Sequence, residues 1–282
     1  MGHPVRRWAA MSDTGIPTYE AELAGLRLVG RHASLAASSA DLPAGAYTTL
    51  RTYGGRGLVR LDQHLRRLEE SAALQGQAGT IDRSAARRAI TLSLNATANS
   101  ESRLRLTFAP PRLFVAVEPF APLPRRLYEQ GVECVTLDVQ RQKPHSKDTR
   151  FIAAAQAAYR RLPAGVEEGL LVGEGGALLE GLSSNFFAVV GGVLRTEEER
   201  ALIGVTRSLV LEVAEDIVPV ERRAVRIDDL PDVAEAFVTS VSREVLPVVR
   251  IDGRPVGDGR VGPRTRAIMA GFAALVEREA TA

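Results

Sequence analysis

The chain has 282 residues, of which 45% are hydrophobic and 25% charged, so it is long enough to form two soluble globular domains. Its 36 basic and 34 acidic residues leave a net charge of +2, which argues against a nucleic-acid-binding protein. The single cysteine, Cys134, is typical of a reducing, cytoplasmic setting. The four histidines do not have the spacing of a zinc site, so no metal is expected, and no apolar run is long enough to span a membrane.

In the first half of the chain, residues 1–40 are rich in Ala, Ser and Gly with weak periodicity, so we expect them to be partly irregular. Beyond them the pattern predicts strands at 47–53, 103–108 and 113–117, and helices from about Leu61 and over 83–94. Three prolines within residues 118–125 then predict a stiff interdomain linker. The sequence therefore predicts an N-terminal α/β domain over 1–117 and a C-terminal domain over 126–282.

In the second half, strands and helices alternate. The pattern predicts strands at 132–139, 169–172, 182–190, 236–241 and 245–251, and helices at 151–161, 207–217 and after Pro263. Because strands and helices are intermixed along the chain, the predicted class is α+β, or mixed α/β.

The chain contains only two lysines, Lys143 and Lys147, because the rest of its 36 basic residues are arginines. A desolvated lysine can lose its proton and form a Schiff base with a carbonyl compound, whereas arginine stays charged. Lys147 is therefore a candidate nucleophile. A composition bias that happens to leave two lysines would explain the same observation, with Lys147 as a surface charge.

A carboxylate, Glu180, precedes the predicted strand 182–190, and Ser183 and Asn185 lie close by. A carboxylate held against a heterocyclic nitrogen keeps that nitrogen protonated, so that the ring can act as an electron sink. The alternative is an exposed turn carboxylate next to polar residues at a strand end.

Several residues have the chemistry of a phosphate site. Gly204, Val205 and Thr206 precede an apolar-periodic helix, whose free N–H groups and dipole attract anions; alternatively Thr206 is only a helix N-cap. Further candidates are Arg67, which is otherwise a surface charge, and Ser240 and Ser242, which are otherwise ordinary strand-end hydroxyls.

With these residues in place, the sequence resembles the class IV (fold type IV) pyridoxal 5′-phosphate (PLP) dependent aminotransferases over residues 47–272. That family includes branched-chain and D-amino acid aminotransferases, (R)-selective amine transaminases and aminodeoxychorismate lyase. The most specific motif is 180–186, Glu-Gly-Leu-Ser-Ser-Asn-Phe, which is similar to the family's Glu-x-x-Ser/Thr-x-Asn-apolar signature. Residues 64–68 (His-Leu-Arg-Arg-Leu), 204–207 (Gly-Val-Thr-Arg) and 237–248 resemble further parts of the family's sequence.

The resemblance implies a smaller N-terminal α/β domain, a larger C-terminal domain with a β-barrel-like sheet, PLP in the cleft between them, and a homodimer. It implies that Lys147 forms the Schiff base and moves the substrate proton, and that Glu180 pairs with the pyridine nitrogen. Ser184 and Asn185 would support the surroundings of the ring. The phosphate would be held by Arg67, the Gly204–Val205–Thr206 helix start, and the 240–242 segment (Ser240, Val241, Ser242), in which Val241 replaces a threonine found in some members.

The predicted reaction is transamination between an amino acid, with D-amino acids or (R)-amines favoured, and a 2-keto acid. The branched-chain enzymes' tyrosine after the lysine is missing here, and Arg150 stands nearby instead. Tyr47 and Arg150 are the candidate substrate contacts; Arg150 either binds a substrate carboxylate bidentately or points to solvent. The alternatives are β-elimination of the aminodeoxychorismate-lyase type, branched-chain L-amino acid transamination, and a non-catalytic ligand-binding relative.

Overall fold

The computed structural model describes residues 15–23, 25–139, 141 and 143–280. The first half forms an antiparallel five-stranded sheet in the order β2-β1-β5-β4-β3. Its elements are β1 (Ile16–Glu22), β2 (Gly25–His32), α1 (Leu35–Asp41), β3 (Ala46–Arg51), α2 (Leu61–Leu74), α3 (Arg83–Asn95), β4 (Ser102–Ala109) and β5 (Arg112–Pro119).

Residues 15–23 and 25–40 are largely regular, so that expectation is wrong for the part of 1–40 that the structure describes. Strands β1 and β2 pair along their length, and Ser34 caps α1 by accepting a hydrogen bond from the Ala37 N–H. Strand β1 is not predicted from the hydrophobic pattern, because two of its buried positions are polar: Thr18 is fully buried and Glu20 nearly so. Glu20 is neutralised there by Arg112, whose Nε donates to Oε1 over 2.7 Å. Residues 1–14 lie outside the described part of the chain.

The helices α2 and α3 supply the apolar core of this half. Along α2, Leu61, Leu65, Leu68 and Ala72 recur every three or four residues and are all buried. Their partners across the core are Leu104 and other residues of the five-stranded sheet. The helix therefore has a fixed inner face, and residues at neighbouring positions on α2 are directed toward the second half of the protein.

The second half is built around a barrel-like sheet. Its strands run in the order β9-β13-β14-β6-β7-β8, and β8 also pairs with β9, which closes the barrel. This arrangement confirms the predicted fold class. The elements are α4 (Arg125–Gln130), β6 (Val132–Leu137), α5 (Arg150–Tyr159), β7 (Val166–Val172), β8 (Ala177–Gly181), β9 (Asn185–Val190), β10 (Val193–Arg195), α6 (Val205–Ala214), β11 (Val220–Glu221), β12 (Val225–Arg226), β13 (Val233–Ser240), β14 (Glu244–Ile251), β15 (Arg254–Pro255) and α7 (Pro263–Glu279).

Most predicted boundaries differ from the observed ones by a few residues, and two of these differences concern the Glu180 segment and the predicted linker. The predicted strand 182–190 begins only at Asn185, because residues 182–184 form a bend in which the Gly181 N–H donates to the Ser184 carbonyl over 2.7 Å. Glu180 consequently lies inside β8, directly opposite Asn185 of β9. In the predicted linker, β5 runs to Pro119 and α4 begins at Arg125, so the segment without regular structure is 120–124. Among the helices that the structure describes, none combines the length and apolar character needed to cross a bilayer.

Candidate active site

A cavity of about 550 Å³ opens between the five-stranded sheet and the barrel-like sheet. Both halves of the chain contribute to its wall, so the site exists only when the two are packed together. The residues predicted from the sequence that line it are Tyr47, Arg67, Lys147, Glu180, Ser184, Asn185, Gly204, Val205, Thr206, Ser240, Val241 and Ser242.

Lys147 lies in the loop before α5, and its backbone is fixed by the first half of the chain. Its N–H donates to the Ser71 hydroxyl over 3.2 Å, and its carbonyl accepts from the Tyr47 N–H over 2.9 Å. The Nζ atom lies 4.8 Å from the centroid of the Tyr47 ring. Burial, together with the positive charges of Arg67 and Arg141, holds the pKa of Lys147 well below its usual range. A neutral amine at this position is the form that can attack an aldehyde or accept a proton.

Glu180 of β8 and Asn185 of β9 lie opposite each other where these two strands pair and close the barrel, and the side chains of both bind the backbone of Leu202. The Leu202 N–H donates to Glu180 Oε2 over 3.1 Å, and Asn185 Nδ2 donates to the Leu202 carbonyl over 2.7 Å. Burial raises the pKa of Glu180, while Arg141 and the Leu202 N–H oppose that shift. The backbone thus fixes a buried carboxylate in the cavity wall.

Arg141 is a site residue that the sequence analysis missed. Its Nη1 lies 3.0 Å from Glu180 Oε1, but the two atoms are not aligned as a hydrogen bond. This oxygen has no hydrogen-bond partner among the described residues, so it is available to a ligand donor. The guanidinium packs over the Phe151 ring at 4.1 Å from its centroid. In a chain with so many arginines, nothing in the sequence distinguishes this one from a surface charge.

The helix α6 presents its first turn to the cavity, and Gly204 precedes it. A Cβ atom on Gly204 would lie 2.3 Å from Asn185 Oδ1, so a larger residue would displace either the Asn185 amide or the helix start. Arg67 lies beside the helix start, where its Nη1 donates to the Ile203 carbonyl over 3.4 Å. Burial lowers the pKa of Arg67 to about 10, which still leaves it charged at neutral pH. The free N–H groups of the first helical turn and this guanidinium line the same cavity, an arrangement whose chemistry suits an anion.

The turn between β13 and β14 lines the cavity next to α6. Ser240 Oγ accepts a hydrogen bond from the Arg243 N–H over 3.2 Å, and Ser242 Oγ accepts from Arg103 Nη1 over 3.3 Å. Thr239, which the sequence analysis missed, is fully buried, and its hydroxyl has no partner within the described residues. The sequence signal that could have identified Thr239 is its position at a strand end, before the two candidate serines.

The cavity wall also carries cationic residues from the five-stranded sheet. Arg105 packs over the Tyr47 ring at 4.8 Å, and its Nη1 donates to the Leu35 carbonyl over 3.0 Å. Its Nε is buried without a hydrogen-bond partner in the part of the chain that the structure describes. Arg103, on the same face of β4, donates from Nε to Glu118 over 2.6 Å. Neither arginine was recognised from the sequence, because both alternate with apolar residues in a way typical of a solvated strand face.

The other substrate candidate, Arg150, lies outside this cavity. Its side chain is 64% exposed, and its Nε donates to Asp148 Oδ2 over 2.8 Å, two residues earlier in the chain. Of the two alternatives, the structure favours the one in which Arg150 points to solvent. Ser184 is directed toward the barrel interior, where its hydroxyl donates to Glu168 over 2.9 Å.

The cavity fits the three parts of PLP. Buried polar atoms without partners among the described residues (Arg67 Nε, Glu180 Oε1 and Thr239 Oγ1) lie in its wall, together with an amine of lowered pKa. An anion site suits a phosphate ester, a buried carboxylate suits a protonated ring nitrogen, and the lysine suits an aldehyde.

Three known proteins illustrate what the chain is similar to. A D-alanine aminotransferase of Bacillus licheniformis is 30% identical over 242 residues, which cover 79% of this chain and 84% of the relative. A protein described as a branched-chain-amino-acid aminotransferase of Methanocaldococcus jannaschii is 31% identical over 170 residues, covering 57% of this chain but only 58% of the relative's length. The structure of a 4-amino-4-deoxychorismate lyase from Pseudomonas aeruginosa superposes with a TM-score of 0.68 and 26% identity, covering 82% of this chain and 90% of that one.

These relatives carry three different activities on one fold, so they identify a family rather than a substrate. Residues 45–251, most of the chain, match the family described as amino-transferase class IV. The chain therefore belongs to the class IV aminotransferases, whose cofactor is PLP.

Proposed function

We propose that this protein is a PLP-dependent transaminase that moves an amino group between an amino acid, with a D-amino acid as the first candidate, and a 2-keto acid. The observation that carries the proposal is the meeting of Lys147, Glu180 and the Arg67–α6 anion site in one cavity. Their separate origins, in a loop, a barrel strand and two helices, make an accidental juxtaposition a poor explanation.

Each residue has a defined task in this proposal. Bound PLP supplies an aldehyde carbon for the substrate amine and a ring that withdraws electrons from the substrate Cα. Lys147 Nζ removes the Cα proton, a role that its lowered pKa favours because a neutral amine can accept a proton. Glu180 holds the ring nitrogen in its protonated form, and Arg67 with the first turn of α6 holds the phosphate. The 240–242 turn closes the phosphate side of the cavity.

The charge of the cavity wall supports an amino acid as the substrate. Arg105 has a buried Nε without a partner among the described residues, and Arg103 lies on the same wall. A substrate carboxylate would satisfy such a donor, whereas an (R)-amine without a carboxylate would not. The absence of the branched-chain tyrosine after Lys147, together with the match to the Bacillus enzyme named D-alanine aminotransferase, favours a D-amino acid.

Absorption spectroscopy of the PLP-loaded protein tests the proposal. We expect a visible band that D-alanine removes and a 2-keto acid restores, and we expect Lys147→Ala to lack both the band and the turnover. If D-alanine leaves the band unchanged but L-leucine removes it, branched-chain transamination is correct instead. If aminodeoxychorismate is consumed without any keto acid, the protein is a lyase, since elimination needs no amino acceptor.

Three further parts of the proposal rest on the family resemblance and on composition. We expect a homodimer, which sedimentation or light scattering will measure. We expect a cytoplasmic location, because the only cysteine, Cys134, is buried as a free thiol. We retain a division into domains near residues 118–125, where the chain passes from the five-stranded sheet to the barrel-like sheet.

A further inference from the structure

Behind the phosphate site, three side chains form a continuous hydrogen-bonded chain. Arg67 Nη2 donates to Thr48 Oγ1 over 2.7 Å, and His64 Nδ1 lies 2.8 Å from the same oxygen. Thr48 and His64 are both buried. His64 and Arg67 are three residues apart on α2, so they share a face of the helix and both contact the Thr48 hydroxyl of β3.

The donor and acceptor inventory fixes the direction of the Arg67–Thr48 hydrogen bond. A guanidinium only donates, so Thr48 Oγ1 must accept from Arg67. The hydroxyl has one proton and a second lone pair, so it either donates to an unprotonated His64 Nδ1 or accepts from Nδ1–H, according to the tautomer of the imidazole. Burial, with the nearby charges of Arg67 and Lys147, lowers the pKa of His64 well below its usual range and so keeps this imidazole neutral. The hydroxyl oxygen therefore presents lone pairs to the guanidinium.

Thr48 and His64 do not line the cavity, and Arg67 is the cavity residue to which their hydrogen bonds connect. Side chains alternate along β3, so Tyr47 and Thr49 line the cavity while Thr48 faces α2. The second anchor of the guanidinium is the Ile203 carbonyl at a longer 3.4 Å, and Nε has no partner among the described residues. Thr48 is therefore the closer of the two contacts that set the orientation of the guanidinium.

We propose that Thr48 and His64 are positioning residues that hold the Arg67 guanidinium in the orientation needed to bind the cofactor phosphate. An arginine side chain has much rotamer freedom to lose, and a site that fixes it beforehand binds more tightly. This inference rests on the phosphate-binding role of Arg67 in the proposed function. It adds a strand hydroxyl and a neutral histidine to the site, although neither touches the cofactor.

The test compares the dissociation constants of PLP and pyridoxal, which lacks the phosphate, for the apoprotein. Thr48→Val keeps the side-chain shape and removes the hydroxyl, so we expect PLP to bind about tenfold more weakly while pyridoxal binding is unchanged. Thr48→Ser keeps the hydroxyl and should behave as the wild type. His64→Asn, which retains an acceptor near the Nδ1 position, should weaken PLP binding less than His64→Leu.

Arg67→Met distinguishes failure of the positioning role of Thr48 and His64 from failure of the phosphate-binding role of Arg67. If Arg67→Met lowers the preference for PLP over pyridoxal but Thr48→Val does not, Arg67 binds the phosphate and the positioning role is wrong. If Arg67→Met leaves that preference unchanged, the phosphate assignment fails and the positioning role falls with it. A general loss of structure would weaken both ligands equally in Thr48→Val, and this outcome also contradicts the proposal.

Discussion

Gly204→Ala probes the close contact between the start of α6 and the strand β9. The backbone of Gly204, with φ −70° and ψ 141°, suits alanine, so the substitution introduces no backbone strain. The new Cβ, however, would lie 2.3 Å from Asn185 Oδ1 and 3.4 Å from Arg207 Cβ. Because the Asn185 amide is held by its hydrogen bond to the Leu202 carbonyl, we expect the first turn of α6 to shift relative to β9.

Overpacking of this kind costs about 1–3 kcal/mol of unfolding free energy. For a chain of this size, each kcal/mol lowers the unfolding midpoint by about 2–4 °C. We also expect weaker PLP binding, since the shifted helix start carries the free N–H groups of the anion site. Thermal and urea unfolding of the apoprotein, followed by PLP titration, measure both effects.

A double-mutant cycle with Asn185→Ala tests whether contact with Asn185 Oδ1 causes the destabilisation by Gly204→Ala. Asn185→Ala alone loses the 2.7 Å hydrogen bond to the Leu202 carbonyl, worth about 1 kcal/mol. In the double variant the colliding oxygen is gone, so the combined loss should be smaller than the sum of the single losses by about 1 kcal/mol or more. Strict additivity, or a Gly204→Ala protein as stable as the wild type, would refute the argument.

Three further substitutions are informative. Lys147→Met should stabilise the apoprotein near neutral pH. Burial lowers the folded-state pKa of this lysine, so the unfolded chain binds the proton more strongly and the stability of the wild type rises with pH. The stability advantage of the variant should therefore vanish above about pH 10.4, where the lysine is neutral in both states. Thermal unfolding across this range measures it, and a pH-independent difference would contradict the lowered pKa. Glu180→Gln should reduce kcat by about tenfold to a hundredfold with PLP still bound, as steady-state kinetics will show; unchanged kcat would remove Glu180 from the reaction. Arg150→Ala should change neither KM nor kcat, because this side chain is exposed and pairs with Asp148; a large rise in KM would return Arg150 to the substrate site.

The local elements were largely predictable, and the failures have identifiable causes. Helix α2 has a regular apolar period, and its prediction from Leu61 is confirmed. Strand β1 was missed because its inward positions include Thr18 and Glu20, the latter neutralised by Arg112 from β5. A pairing between residues so distant in sequence leaves no local pattern. The bend at 182–184 was misread as strand because its backbone hydrogen bond, not its hydrophobicity, breaks the extended conformation.

The same distinction applies to the candidate site. Residues that belong to contiguous motifs, such as Glu180 with Asn185 and Gly204 with Thr206, were identified and lie in the cavity wall. Arg141 and Arg105 were missed because each enters the site from an element that carries no motif. In an arginine-rich chain, only a three-dimensional neighbour such as Glu180 or Tyr47 distinguishes them.

The sequence by itself determined the family, and it predicted Lys147 and the start of α6 as candidate site residues, because each depends on residue chemistry at short, fixed spacing. The tertiary structure alone decided that Arg150 faces solvent and that Thr48 and His64 stand behind Arg67. It also lowers the pKa of Lys147, since desolvation and the nearby arginines exist only when the two halves of the chain enclose one cavity. Charge, burial and hydrogen bonding between distant segments are properties of the packed chain, and no local spacing encodes them.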